Sequence, residues 1–252
     1  MSEKESQSPS SASSVLPEHY PEVEVETHGM GEKLNRLRAA VLGANDGIVS
    51  TAAVVVGVAG ATNSLREIAT AGVAALVGGA VSMALGEYVS VSSQRDAEEA
   101  AIETERGLHD AAPEAELNHL VQAYKNSGLS EETAIAVARE RTRIDPLGAH
   151  LEIHYGIDQE DLVNPWSAAT ASFISFFLGA LLPLAAVLLA PEMARVVVTV
   201  VVTLIALAIT GAISAKLGGA KPAKAVVRLV VGGGLALAVT YLVGTLLGTG
   251  MA

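Results

Sequence analysis

The sequence contains no cysteine. That absence excludes disulfide bonds, thiolate metal sites and cysteine nucleophiles together. Basic residues are also few, since 16 Lys and Arg stand against 27 Asp and Glu and leave a formal net charge of −11. Binding to phosphates requires clustered cations, so we expect no nucleic-acid partner. Residues 1–31 lack the apolar run of a cleaved signal and are rich in Ser and Glu, which predicts a disordered cytoplasmic tail.

Apolar residues make up 50% of the chain, and they are concentrated in five runs. About 20 such residues in a helix cross the roughly 30 Å hydrocarbon core of a bilayer. The runs lie at about 38–61, 68–92, 168–190, 194–215 and 225–248. The sequence therefore predicts an all-α, multi-pass membrane protein with the lipid bilayer as a partner. Two membrane helices fall in residues 32–93 and three in residues 165–252, with a different region, 94–164, between them.

The positions of Lys and Arg predict the orientation of these helices. Fourteen of the 16 basic residues lie before the first span, between the second and third, or between the fourth and fifth. Only Arg66 and Arg195 fall on the other side. We therefore expect the N-terminus and residues 94–164 to be cytoplasmic and the C-terminus to lie across the membrane. The short loops and compact size favour a bacterial plasma membrane.

Residues 94–164 have the character of soluble helices and contain 16 acidic residues against 6 basic ones. One interpretation is a solvated helix face. The other is a divalent-cation site, because carboxylates from several short helices can supply the oxygen ligands that Mn²⁺ or Fe²⁺ accept. His150 and His154 are spaced at i and i+4 on one helix face. They are either auxiliary metal ligands or surface histidines, and they do not form an HExxH motif.

A second candidate site lies within the first two spans. An ionised Asp in the middle of a membrane costs roughly 2.5–3.5 kcal/mol on insertion scales, so Asp46 should face a cavity, a partner or an ion. At 1.5 Å per residue, Asp46 lies about 15 Å along its span from Arg36, and Met83 lies about 18 Å from Arg95. The two side chains could share one depth. A carboxylate with a thioether suits a borderline transition ion better than Mg²⁺ or Ca²⁺.

Gly43 and Gly47 flank Asp46 in a GxxxG pair, and other glycine pairs follow in later spans. In membrane helices this spacing usually permits close helix contact. We interpret the pair as letting two copies of the first span approach each other, so that two Asp46 residues share one ion path.

Four motifs together resemble the vacuolar iron transporter family over roughly residues 33–248. They are Gly-Ala-Asn-Asp-Gly at 43–47, Ser-Met-Ala-Leu-Gly-Glu-Tyr-Val-Ser at 82–90, Gln-Arg-Asp at 94–96 and Asn-Pro-Trp at 164–166. The resemblance implies a homodimer of five-helix subunits, with the second helix continuing into a cytoplasmic three-helix metal-binding domain. It implies that Fe²⁺, and often Mn²⁺ or other divalent ions, leaves the cytosol between the subunits in exchange for protons. No prosthetic group is implied.

The resemblance also implies two sets of site residues. Asp46, Met83 and Glu87 belong to the transport pathway, and Asn45 adjoins them. The metal-binding glutamates match Glu99, Glu103, Glu105, Glu114 and Glu116, and Glu140 and Asp145 are further candidates. The acidic helix face and the histidine spacing, apart from the resemblance, add Asp96, His150 and His154 as auxiliary ligands. The methionine that the family has in the third helix of this domain has no counterpart in residues 139–145.

Two other functions remain open at this point. A membrane-anchored metal buffer or sensor would use the acidic region without translocation, and it predicts metal binding but no flux in vesicles. An intramembrane hydrolase would need a nucleophile and a base within the membrane. All six His lie outside the predicted spans, so we expect a transporter and not an enzyme.

Overall fold

The computed structural model describes residues 30–158 and 162–250, so the predicted tail lies almost wholly outside the described residues. Within them the chain forms eight α-helices and one short 3₁₀ helix at Glu192–Ala194. The α-helices are α1 (Met30–Ala61), α2 (Leu65–Ala111), α3 (Pro113–Asn126), α4 (Glu131–Ile144), α5 (Pro146–Tyr155), α6 (Pro165–Leu189), α7 (Arg195–Leu217) and α8 (Pro222–Gly250). The described part of the chain contains no strand.

Five of these helices are long and apolar enough to cross a membrane, and the prediction of five spans is confirmed. They are α1, α2, α6, α7 and α8. The boundaries follow from local chemistry. Ser64 accepts a hydrogen bond from the Glu67 amide at the start of α2, and Asn164 caps α6, whose first residue is Pro165. These caps satisfy backbone amides that have no partner within the helix.

Helix α1 packs against all four other membrane helices, and most extensively against α6. A Cβ atom on Gly47 would overlap the carbonyl oxygen of Phe176, and one on Gly43 would lie 2.7 Å from the carbonyl oxygen of Ser172. Gly179 of α6 approaches the carbonyl oxygen of Ala44 in return. The interpretation that Gly43 and Gly47 face a second copy of the chain is therefore wrong. The close contact that the GxxxG spacing predicts exists, but α6 of the same chain occupies it.

Helix α2 has 47 residues and is about 70 Å long at 1.5 Å per residue. Because about 20 residues cross the hydrocarbon core, its second half extends well beyond the membrane. Helices α3, α4 and α5 pack there around a small core of Leu120, Ala138 and Ala149. This arrangement places the acidic helices at one end of the membrane bundle. Their cytoplasmic location, and their standing as a separate domain over 94–164, stay predictions.

Candidate functional site

Asp46, Met83 and Glu87 line a single groove of about 450 Å³ between α1 and α2. The Ser50 hydroxyl donates a hydrogen bond of 2.6 Å to Oδ1 of Asp46 from one turn further along α1. Phe176 of α6 forms part of the wall. The groove therefore combines two carboxylates and a thioether, which suits a borderline transition ion.

Glu87 is almost completely buried at one end of this groove, with 8% of its side chain exposed. The nearest cation is the guanidinium of Arg38 on α1, with one nitrogen 3.6 Å from Glu87 Oε2. That oxygen has no hydrogen-bond partner among the residues that the structure describes. A buried carboxylate that is held by one long ion pair has free coordination capacity, because each carboxylate oxygen can accept more than one contact.

The groove opens on the outer face of α1 and α2. Leu42 and Val54 at its edges are exposed, as are Ser82 and Gly86 on α2. Carboxylates within a membrane normally face a protein interior or a water-filled cavity and not lipid. This side of a single subunit is therefore unsuited to direct contact with hydrocarbon.

Asn45 does not share this groove, although it is the neighbour of Asp46 in sequence. It lines a separate cavity of about 530 Å³ with Arg38 of α1 and Ser214 and Leu217 of α7. Its Oδ1 is enclosed and accepts no hydrogen bond from the described residues. Consecutive helix positions differ by about 100° in direction, which explains the separation.

A second cluster lies where α3 and α5 meet the far end of α2. It consists of Glu105, Glu116 and His150, one residue from each helix, and their potential ligand atoms all lie within 4.8 Å of one another. His150 Nδ1 is 3.4 Å from Oε2 of Glu116 and 3.7 Å from Oε2 of Glu105. The three residues are buried, and His150 is completely so. Two carboxylates and an imidazole converging in a buried site can together coordinate a divalent transition ion.

The surroundings keep His150 in the form that binds metals. Burial lowers the pKa of His150 below its usual 6.5, outweighing the neighbouring Glu105 and Glu116 carboxylates, which raise it. A neutral imidazole binds a metal without first losing a proton. Tyr155 is hydrogen-bonded to Glu105, and burial followed by that carboxylate raises the pKa of the Tyr155 hydroxyl. The protonated hydroxyl can thus orient Glu105, as outer hydrogen bonds commonly do for metal ligands.

The other carboxylates predicted as ligands are exposed and do not join this cluster. Several pair with arginines on their own helix: Glu99 with Arg95, Glu103 with Arg106, and Glu140 with Arg143. Asp145 Oδ1 accepts a hydrogen bond from the Gly148 amide and caps α5. Asp96, Glu114 and His154 are exposed too. The acidic residues among them contribute negative charge around the cluster or, in the case of Asp145, cap a helix.

Sequence reasoning overlooked His109. Its ring centre lies 5.2 Å from that of His150, and its Nε2 is enclosed without a hydrogen-bond partner in the described parts of the chain. A signal was available, since His109 follows Glu105 by four residues and so shares its helix face.

The model of the VIT family matches residues 37–245. A vacuolar iron transporter of Acanthamoeba castellanii is 40% identical over 230 residues, covering 90% of this chain and 85% of that protein. Vacuolar iron transporter homolog 1 of Oryza sativa subsp. japonica is 39% identical over 81% of this chain and 71% of that protein. Vacuolar iron transporter homolog 2.1 of Arabidopsis thaliana is 33% identical over 88% of this chain and 85% of that protein.

Proposed function

Because the chain belongs to the VIT family, a family of transporters and not of enzymes, we propose that it exports Fe²⁺ from the cytosol in exchange for protons. Mn²⁺ is a second substrate in this proposal. Relatives named as vacuolar iron transporters support iron as the cargo. The observation that carries the proposal is the groove between α1 and α2, in which Asp46, Met83 and Glu87 meet within the membrane-spanning part of the chain.

Exchange with protons follows from the chemistry of such a groove. A carboxylate oxygen can bind either a proton or a metal ion. A metal ion and protons therefore compete for Asp46 and Glu87. In the absence of metal, the Arg38 guanidinium partly balances Glu87, and an arriving divalent ion would replace it.

The proposed transporter is a homodimer with the groove at the interface. The groove opens on the outer face of one subunit, where lipid contact is unfavourable for its carboxylates. A row of small, exposed residues runs along α2 beside it at four-residue spacing: Ala74, Gly78, Ser82 and Gly86. A Cβ atom added at Gly78 or Gly86 would meet nothing within 4 Å. Small residues let a second helix approach closely, so α2 is the proposed contact.

The buried cluster of Glu105, Glu116 and His150 is the proposed point of capture from the cytosol. Glu105 lies 18 residues from Glu87 along α2, or about 27 Å. This distance is too long for direct transfer between the two sites. The acids between them, the exposed Asp96 and Glu99 and the half-buried Glu98, provide an attractive field along the same helix. Capture and translocation are therefore separate steps in the proposal, with the cluster facing the cytosol.

Vesicles reconstituted with the purified protein provide the test. Fe²⁺ or Mn²⁺ is added outside vesicles whose interior is acidic. The metal ion should enter the lumen while protons leave it. A metal-sensitive dye measures the metal uptake, and a pH-sensitive dye measures the proton release. Vesicles without protein control for leakage. Stoichiometric metal binding by the protein without any flux would contradict the proposal and favour a membrane-anchored buffer or sensor.

A further inference from the structure

The buried cluster has more nitrogen donors than the three residues that define it. His109 Nε2 and both ring nitrogens of His150 are enclosed by protein, and none of them has a hydrogen-bond partner among residues 30–158 and 162–250. Buried polar atoms without a partner are uncommon because each loses its water without compensation. Two of these atoms belong to His150, which adjoins the buried carboxylates of Glu105 and Glu116, and the His109 ring contacts that of His150, so the group is arranged as if for a ligand.

The arrangement of the two rings suits a common metal ion. In transition-metal sites an imidazole nitrogen lies about 2.0–2.1 Å from the ion. Two rings that share an ion at a tetrahedral angle then have centres about 5 Å apart. The observed separation of His109 and His150 is 5.2 Å, and the ring planes are nearly perpendicular at 85°.

Helix geometry places His109 on the same face of α2 as Glu105. Glu105 and His109 are one turn apart on α2, so both point toward α3 and α5. Glu116 and His150 approach from those two helices. The potential ligand atoms of Glu105, Glu116 and His150 lie within 4.8 Å of one another, and His109 adjoins this group through its ring contact with His150.

We propose that His109 is a metal ligand and completes a site of two carboxylates and two imidazoles. The inference rests on the proposed role of the cluster in metal capture, and it adds selectivity. Imidazole donors favour Zn²⁺, Fe²⁺ and Co²⁺, whereas Mg²⁺ and Ca²⁺ prefer oxygen ligands alone. The site therefore excludes the abundant Mg²⁺ of the cytosol at the capture step, before any ion reaches the groove.

His154 is the obvious competitor, because its ring centre lies 5.5 Å from that of His150. Its side chain is exposed, however, while the Nε2 atom of His109 is enclosed and has no hydrogen-bond partner among the described residues. This contrast makes His154→Gln a suitable control for His109→Gln.

Co²⁺ titration of the purified full-length protein tests the inference, with visible absorption as the readout and Mg²⁺ as the competitor. We expect His109→Gln to lower Co²⁺ affinity at least ~10-fold, to alter the absorption bands and to weaken selectivity against Mg²⁺. His154→Gln should bind as the wild type does. His109→Asp, which restores a ligand but supplies oxygen, should recover affinity with shifted bands.

The outcomes separate the two proposals. If wild-type protein shows no saturable Co²⁺ site, the proposed capture site itself fails. If wild-type protein binds Co²⁺ and His109→Gln leaves both affinity and bands unchanged, the site stands and the role of His109 is refuted. A loss of Co²⁺ affinity in His154→Gln but not in His109→Gln would assign the second imidazole ligand to α5 and would also refute the role of His109. Circular dichroism and gel filtration of each variant establish that its fold is retained.

Discussion

Replacing His150 by Phe should make the metal-free protein more stable while removing its response to metal. In the folded chain the His150 ring is completely buried, and neither nitrogen has a hydrogen-bond partner in the part of the chain that the structure describes. An unsatisfied buried polar group costs roughly 1–3 kcal/mol. Phe has a similar shape without the polar atoms, so the variant should gain about 1 kcal/mol in its free energy of unfolding, even after some strain from its larger ring.

The response to metal should change in the opposite direction. A ligand at 100 times its dissociation constant stabilises the folded state by about 2.7 kcal/mol. For a chain of this size that corresponds to a rise in Tm of about 5–10 °C. Wild-type protein should show this rise with Mn²⁺, and His150→Phe should show almost none.

Thermal unfolding in detergent, followed by circular dichroism with a chelator and then with excess Mn²⁺, measures both effects. His154→Phe is the matched control, since His154 lies one turn away on the same helix and is exposed. The reasoning is refuted if His150→Phe is less stable than wild type without metal, or if it retains the full rise in Tm.

Three further predictions concern packing, assembly and pH. Gly47→Val should destabilise the protein by about 1–3 kcal/mol, because the valine side chain would overlap the Phe176 backbone. Gly107→Ala is the control: its added Cβ atom meets nothing within 4 Å, so the variant should be neutral or slightly stabilising in the same thermal assay. Gly78→Leu should leave the subunit folded but weaken the proposed dimer, measured by light scattering with gel filtration. If the protein is a dimer and the variant leaves it unchanged, α2 is not the contact. The folded protein holds His150 with a pKa below 6.5, so the unfolded chain takes up a proton first as the pH falls. The stability of the metal-free protein should therefore decrease below about pH 6.5. His150→Phe should flatten that decrease, and an identical pH profile of stability for both proteins would contradict the pKa assigned to His150.

The membrane part of the fold could be predicted closely from the sequence, because uninterrupted apolar runs have few other stable structures. The five predicted spans coincide with observed α-helices, and none extends more than one residue beyond a helix end. The partner of the Gly43 and Gly47 face could not be predicted in this way. Glycine spacing shows that a helix can be approached closely, but α6 of the same chain and α1 of another copy satisfy that spacing equally well.

The acidic region shows the same limit. The periodicity of α2 groups Asp96, Glu99 and Glu103 on one face and leaves Glu105 on the other. The structure buries Glu105 and leaves the other three exposed. Burial depends on where α3 and α5 pack, which the local pattern of α2 does not contain. For His109 the spacing from Glu105 was a signal, but only the packing of α5 against α2 brings His109 beside His150.

The central claim is that the ion crosses the membrane through the groove that contains Asp46. The most direct measurement is Fe²⁺ flux into vesicles for wild type and Asp46→Asn at equal protein density, under the same pH gradient. Asn preserves the shape of the side chain but cannot carry the negative charge. The proposal predicts flux at the level of protein-free vesicles for Asp46→Asn, with Co²⁺ binding at the buried cluster unchanged. Wild-type flux in Asp46→Asn would contradict it.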